Sequence, residues 1–248
     1  MRIRASRPEP VPFFEAAYAA SARPVRLIDA DADLFTGLAA AATDASAALT
    51  VSTIRLQPGP WQPAPEVDDD ELTLLVFEGV LVRTVSVAGQ RRSELIGDGD
   101  LIRPWSTEQA IASLRFDVGW DALQPTRLGL LDAAFFRAAG SCPELVSALV
   151  TRGVQRSHRV VLQMTMGSLR RMEERLIALF LHLGDRWGRM TPEGVHIPLR
   201  MTHELIAQLV GAQRPTVTTA LNDLERAGRL KRRADRTWLV TAPLDGSR

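Results

Sequence analysis

MTHELIAQLVGAQRPTVTTALNDLERAG, residues Met201 to Gly228, reads as a helix, a tight turn and a second helix with a polar front end. Thr202 is a good N-cap, because its hydroxyl can accept a free backbone N–H of the first turn. Leu205, Ile206, Leu209 and Val210 recur at helical spacing and give the first helix one apolar face. Gly211 ends that helix, since glycine enters the left-handed conformation without a Cβ penalty. Pro215 fits a first helical turn, so the second helix starts near Gln213 or Arg214. Val217, Ala220, Leu221 and Leu224 form its inward face, and small Ala207 suits a close crossing of the two helices.

The pattern is that of a helix-turn-helix, which lays its second helix in the DNA major groove. An ordinary αα-hairpin inside another domain is the plainer alternative. Two features weigh against it. The outward positions of the second helix, Gln213, Arg214, Thr216, Thr218 and Thr219, are short-reach donors and acceptors. The following stretch, Arg229 to Val240, reads as two short strands around a basic turn, a wing carrying Lys231, Arg232 and Arg233 toward phosphates. Thr202 and His203, at the front of the first helix, join the candidate DNA contacts.

Working outward, the charge is divided. Residues 1–150 carry 13 Arg/Lys against 20 Asp/Glu, and residues 151–248 carry 17 against 9, although the whole chain balances at +1. An acidic part that avoids phosphates joined to a basic part that attracts them produces such a split. Two domains fit within 248 residues. No run of about 18 apolar residues suggests a membrane span, and the start, MRIRASRPEPVPFF, lacks the apolar core of a signal peptide. The expected compartment is the cytoplasm, with no membrane partner. A single cysteine, Cys142, excludes an internal disulfide and a cysteine-only metal site within one chain.

The first 140 residues read as an N-terminal domain. Residues 1–23 form an arm with a helical turn at Phe13–Ala20, and the chain becomes strand-like from Arg26. Asp31–Ala42 reads as a short Ala-rich helix. Strands are expected at Leu49–Leu56, Leu72–Phe77, Val80–Val87, Ser93–Ile96 and Ala110–Val118. They are separated by turns at Gln57–Pro60, Glu78-Gly79, Ala88-Gly89 and Gly97–Asp100, with an acidic run at Glu66–Glu71. In the last strand Leu114, Phe116 and Val118 alternate with Arg115 and Asp117. Short strands at this spacing suggest a jelly roll, sandwich or barrel. The fold class is therefore α+β: an N-terminal β-roll, a long helix and a C-terminal winged helix-turn-helix.

Asp132–Ala139 is a short helix, and Pro143 opens a long one running to about Met166. Val146, Val150, Gly153, Ser157, Val160, Met164 and Gly167 fall on alternating three- and four-residue steps along it, a heptad-like seam. Packing on its own β-domain is one use for that seam. A two-fold dimer is the other, and it suits a regulator that reads two half-sites. The long helix is assigned to residues 141–167 and the winged domain to 168–248. Within the latter, Ser168–Trp187 reads as a helix with Leu169, Met172, Leu176, Leu179 and Phe180 inward, and Val195–Leu199 as a short strand. The tail Ala242–Arg248 closes the chain.

The order of elements, together with RLIALFLHLGDRWG from Arg175 and THELIAQLVGAQRPTVTTALNDLERAGRL from Thr202, resembles the Crp/Fnr family of bacterial transcription regulators. The glycine-punctuated LLVFEGVLVRTVSVAGQRRSELIGDGD resembles a cyclic-nucleotide-binding-type β-roll. The resemblance spans residues 25–241 and is strongest from Glu173 to Val240. It implies a homodimeric regulator whose N-terminal domain senses a signal, with duplex DNA, a second copy and RNA polymerase as partners. It also implies that Arg214 reads a guanine edge, for which a bidentate guanidinium is suited, and that Thr202 and Thr216 meet phosphates. Pro215 and Thr219 stand where cyclic-AMP-responsive members have a glutamate and a second arginine, so the operator should differ from theirs.

Family members that bind cyclic nucleotides hold the phosphate at a short helix start with one arginine. In Gly99-Asp100-Leu101-Ile102-Arg103-Pro104 that helix is missing, and cyclic AMP is not the expected effector. Arg103 and Arg115 are the weak candidates for an effector anion, with a surface or strand-edge role the commoner one. Trp61, Trp105 and Trp120 suit either an apolar pocket or plain core packing. No cofactor is expected: an iron–sulfur cluster needs several thiolates, and His158, His182, His196 and His203 all lie outside the β-domain. The same absence argues against cupin-like metal enzymology, which needs histidines inside the barrel. Asp98, Asp100, Glu66 and Asp68 are candidates for a hard cation, though acidic turns are more often plain turns. The alternative to DNA binding is a ligand-binding, cupin-like β-roll whose winged helix serves protein interaction.

Overall fold

A computed structural model describes residues 24–63, 72–104 and 114–241. The arm with Phe13–Ala20, the acidic run Glu66–Glu71, Trp105 and the tail Ala242–Arg248 lie outside the described residues. Strand alternation builds two facing sheets. One has the order β1 (Val25–Arg26), β2 (Thr50–Leu56), β9 (Thr126–Leu131), β4 (Thr73–Glu78), β7 (Leu101–Ile102). The other runs β3 (Gly59–Trp61), β8 (Asp117–Ala122), β5 (Val80–Val87), β6 (Gln90–Gly97). Because successive side chains point to opposite faces, Ile54, Leu74, Val76 and Leu128 of the first sheet meet Trp61, Leu81, Ile96 and Trp120 of the second. This is the core of the β-roll.

The outer face of the first sheet is covered by helices. Leu75, Phe77 and Leu131 pack against Leu27 of α1 (Leu27–Ala30), Phe135 of α3 (Ala133–Ala139) and Leu145 and Leu149 of α4 (Pro143–Gly167). Two expectations need correcting here. Asp31–Ala42 is not one helix but a 3₁₀ turn, Ala32–Phe35, followed by α2, Ala40–Ser46. Gly37, at φ +84°, turns the chain between them. The strand expected at Ala110–Val118 lies at Asp117–Ala122 instead. Residues 110–113 are outside the described part, and Leu114 is 48% exposed, so its alternation with Phe116 does not build a sheet face.

The outer face of the second sheet is covered by the C-terminal domain. Val80, Val82 and Leu95 belong to the same core as Phe180 of α5 (Met172–Trp187), Ile206 and Leu209 of α6 (His203–Val210) and Leu221 of α7 (Arg214–Arg226). That domain closes with a four-stranded sheet in the order β10 (Arg189–Thr191), β11 (Gly194–Ile197), β13 (Trp238–Val240), β12 (Leu230–Arg232). Trp238 and Phe180, both fully buried, centre it with their rings 5.0 Å apart. The strand expected at Val195–Leu199 is β11, Gly194–Ile197, and β10, for which the sequence carries no separate signal, pairs with it as a hairpin through Arg189↔His196.

The helix expected at Ser168–Trp187 begins only at Met172. Residues 168–171 form the bend after α4, where the Ser168 hydroxyl donates to Thr165 O at 2.7 Å and Arg171 is extended. Leu169 consequently sits on the surface rather than on the inner side of the helix.

The inward face of α4 changes character along its length. After Leu145 and Leu149 it carries Arg152, Arg156, Arg159 and Gln163. Arg152 pairs with Asp31, and Arg156 Nη2 donates to Glu94 Oε1 at 2.6 Å. Arg159 pairs with Asp100, which is wholly buried, and Arg186 of α5 closes on the other oxygen of the same carboxylate. The opposite side of α4 is apolar and bare: Val150 is 61% exposed, Val154 49%, Val161 62% and Met164 71%. The seam read from the sequence is thus divided between the two sides. Of its members, Val150, Ser157 and Met164 lie outward. Val146 packs into the core beneath the first sheet, Val160 lines a cavity against the second, and Gly167 abuts Val210. Gly153 sits half-buried between the two sides.

Candidate nucleic-acid interface

Local chemistry shapes the helix pair at the carboxy-terminal end. Thr202 Oγ1 accepts the Leu205 N–H at 3.1 Å, capping α6. Gly211 adopts φ +70° at the other end, and Ala212 N–H returns to Ala207 O at 2.9 Å. The exit is also crowded, since a Cβ on Gly211 would fall 2.5 Å from the Arg92 guanidinium of β6. Gln213 caps α7 in extended conformation, with Pro215 in the first turn. Val217, Ala220, Leu221 and Leu224 are buried, so the opposite face is solvent-directed.

That face bears Gln213, Arg214, Thr216 and Thr219, all exposed. Thr219 Oγ1 donates back to Pro215 O at 3.2 Å, which occupies its one proton within the helix. Thr218 is half-buried, and its hydroxyl lies 3.0 Å from Nδ1 of His203 at the start of α6. Burial first, then the positive charges of Arg232 and Arg214, hold His203 below the ordinary imidazole range, with Glu225 opposing.

The wing is fixed to α7. The Arg232 backbone N–H donates to Glu225 Oε1 at 2.8 Å, and the Arg232 guanidinium lies 5.6 Å from the centre of the Trp238 ring. Lys231, Arg232 and Arg233 are exposed. Asp235 shapes the tip by accepting the Thr237 N–H at 3.0 Å and hydroxyl at 2.6 Å. The Thr237 hydroxyl also meets His196 Nε2 at 2.9 Å, and Arg236 is held at φ +67°. Between tip and helix start lies a cleft of about 340 Å³, lined by Arg200, Thr202, Arg232, Asp235 and Arg236. Arg200 and Arg236 were not singled out from the sequence. Arg236 lay inside the basic stretch, and Arg200, two residues before the cap, carried no signal.

The other candidates fare differently. Arg103 is exposed and its Nε donates to Thr73 Oγ1 at 2.9 Å, while Arg115 is exposed beside the undescribed residues 105–113. Trp61 and Trp120 stack edge-to-face with centroids 5.7 Å apart inside the β-roll core, which accounts for both as packing. Asp100 is committed to Arg159, Arg186 and the Gly97 N–H rather than to a cation. Among the described residues no group of three His, Cys, Asp or Glu side chains is placed to hold a metal, and no helix is long and apolar enough to cross a membrane. A cavity of about 420 Å³, unread in the sequence, opens where the second sheet, α4 and the end of α6 meet, lined by Val85, Arg92, Val160, Met164 and Leu209.

A buried polar relay ties this unit to the second sheet. Thr84 and Ser93 hydroxyls lie 2.8 Å apart, and Ser93 Oγ donates to Gln208 Oε1 of α6 at 2.8 Å. Gln208 Nε2 continues to Glu204 Oε1 at 3.1 Å. From α4, Gln163 Nε2 reaches both Ser93 O at 2.7 Å and Leu209 O at 3.1 Å. No member was identified from the sequence.

Residues 174–243 match the model of the Crp-like helix-turn-helix domain. Regulatory protein CysR of Synechococcus elongatus is 41% identical over 78 residues, 30% of this chain and 37% of that protein. The global nitrogen regulator of the same organism is 31% identical over 85 residues, 34% and 38% of the two chains. The aligned part spans little more than a third of these relatives. Among solved structures, a double mutant of CooA from Carboxydothermus hydrogenoformans has TM-score 0.61 at 17% identity, covering 85% of this chain and 90% of that one. FixK2 from Bradyrhizobium japonicum has TM-score 0.59 at 18% identity, covering 78% and 94%. At such identities the likeness is one of fold, and it covers the β-roll and long helix as well as the helix-turn-helix.

Proposed function

We propose that this chain, with its Crp-like helix-turn-helix domain at residues 174–243, is a sequence-specific DNA-binding regulator of transcription that works as a homodimer. The observation that carries the reading is the division of α7. Its apolar side is spent in the core, and its polar side stands in solvent beside a basic wing. Arg214 supplies the guanine-reading fork, Gln213 and Thr216 flank it, and Thr202 with Lys231, Arg232 and Arg233 meets the phosphates. Two copies joined along the bare stripe of α4 would present their recognition helices about 34 Å apart, one turn of duplex. RNA polymerase is the partner such a regulator recruits or obstructs.

Binding to duplex DNA over a salt series tests the reading. Counterion release gives log affinity falling against log salt with a slope of about −0.9 per phosphate contact. Neutralising Lys231, Arg232 and Arg233 together should make that slope shallower. Absence of duplex affinity at low salt, with intact fold, would overturn the proposal in favour of a protein-binding winged helix.

A further inference from the structure

His203, already among the candidate DNA contacts, carries a titratable ring whose protonation the DNA-binding reading leaves undetermined. It is the first residue of α6, directly behind the cap Thr202. Its Nδ1 is engaged by Thr218 of the recognition helix, and Nε2 has no protein partner among the described residues. The ring lies against Trp238 at 6.3 Å between centroids. Charged groups face it from each neighbouring element: Arg214 and Glu225 on α7 and Arg232 on the wing. On its own helix, Glu204 is occupied by Gln208.

We propose that His203 takes up a proton when duplex DNA binds, and in that cationic form holds Thr218 with Nδ1–H and a backbone phosphate with Nε2–H. This rests on the reading above and makes operator binding proton-linked. The Thr218 hydroxyl can donate to Nδ1 or accept from it, so the drive is not donor count alone but charge. A phosphate within reach of Nε2 favours the cation, whose two N–H groups hold Thr218 and the phosphate in one charge-assisted arrangement.

In the free protein, partial burial, two guanidinium groups and the positive end of α6 all oppose that charge, in keeping with the lowered imidazole. Phosphates arriving over Arg214 and Arg232 reverse the sign of the local field. Protonation then becomes favourable where it was not before. His203 is thus a positioning residue for the recognition helix and a phosphate donor, active in the bound state.

The test is duplex affinity from about pH 5.5 to 8.5 at constant salt, for the wild type and for His203→Gln and His203→Arg. One proton taken up per subunit raises affinity as pH falls, by up to about tenfold per pH unit per subunit. That rise is confined to the interval between the free-state pKa, which lies below the ordinary imidazole range, and the higher value in the complex. His203→Gln keeps a hydrogen-bonding side chain for Thr218 but cannot ionise, and should give a flatter profile. His203→Arg, cationic throughout, should also lose the slope while retaining the affinity seen at low pH. The histidines elsewhere are common to all three proteins and cancel. A wild-type slope equal to that of His203→Gln would overturn the proton linkage while leaving DNA binding intact. No duplex affinity at any pH would instead defeat the DNA-binding reading. An imidazole titration of His203 by NMR should move upward on adding duplex, and a fixed pKa would likewise overturn the inference.

Discussion

Arg214 stands at the first turn of the recognition helix, exposed and without a carboxylate partner among the described residues. Its planar fork of donors is therefore free for a base edge, whereas the Thr219 hydroxyl is already donated to Pro215. Arg214→Ala should cost about 1–3 kcal/mol and relax preference at a single base position in a selection from random duplex. Equal weakening on every sequence would make Arg214 a phosphate contact. At this scale the sequence was legible where a residue's role is set by its immediate neighbours. Thr202 and Gly211 announced the ends of α6 because capping and left-handed exit depend on a few adjacent peptides. The bond from His203 to Thr218 was not legible, since it exists only through the angle at which two helices cross.

The long helix shows where legibility stops at the level of an element. A heptad-like spacing was readable, but two neighbouring stripes, Val146–Val160 and Val150–Val154–Val161, share it, and spacing alone does not say which faces inward. The choice is made by Arg152, Arg156 and Arg159, whose carboxylate partners Asp31, Glu94 and Asp100 are distant in sequence. Val154→Glu with Val161→Glu should therefore leave each subunit folded and convert a dimer to a monomer in sedimentation experiments. A dimer that survives both would move the interface off this stripe. The strand misplaced at Ala110–Val118 failed for a similar reason, because alternation of apolar and charged residues also occurs in an exposed loop.

Asp100 is the most exacting contact of that helix. It is wholly buried, and it receives Arg159, Arg186 and the Gly97 N–H. Asp100→Asn removes the charge that two arginines share, and breaking such a pair costs about 3–5 kcal/mol. Part of this is recovered at Arg159, which keeps 30% of its side chain in water. Equilibrium denaturation should show a loss toward the lower end of that range. A loss below about 1 kcal/mol would mean that both guanidiniums find solvent without rearrangement.

For the molecule as a whole, the roll, helix and winged domain were legible in order, because period-two strands and the helix-turn-helix each have their own signature. Their mutual arrangement was not. Val80, Val82 and Leu95 of the second sheet belong to the same core as Phe180 and Leu221, so the parts share apolar interior rather than a linker. The residues that fix the junction, Ser93, Gln163 and Gln208, are polar, far apart in sequence and individually unremarkable to read.

The junction itself has a mechanical consequence. Directional bonds from Ser93 and Gln163 grip α6 at the adjacent residues Gln208 and Leu209, with apolar core on one side of them and the open cavity on the other. A joint gripped in this way does not swing loosely. In a two-fold assembly the gap between the two reading heads would be set, like the jaws of a locked caliper, before any duplex is met, and a signal that alters the gap must first break those bonds.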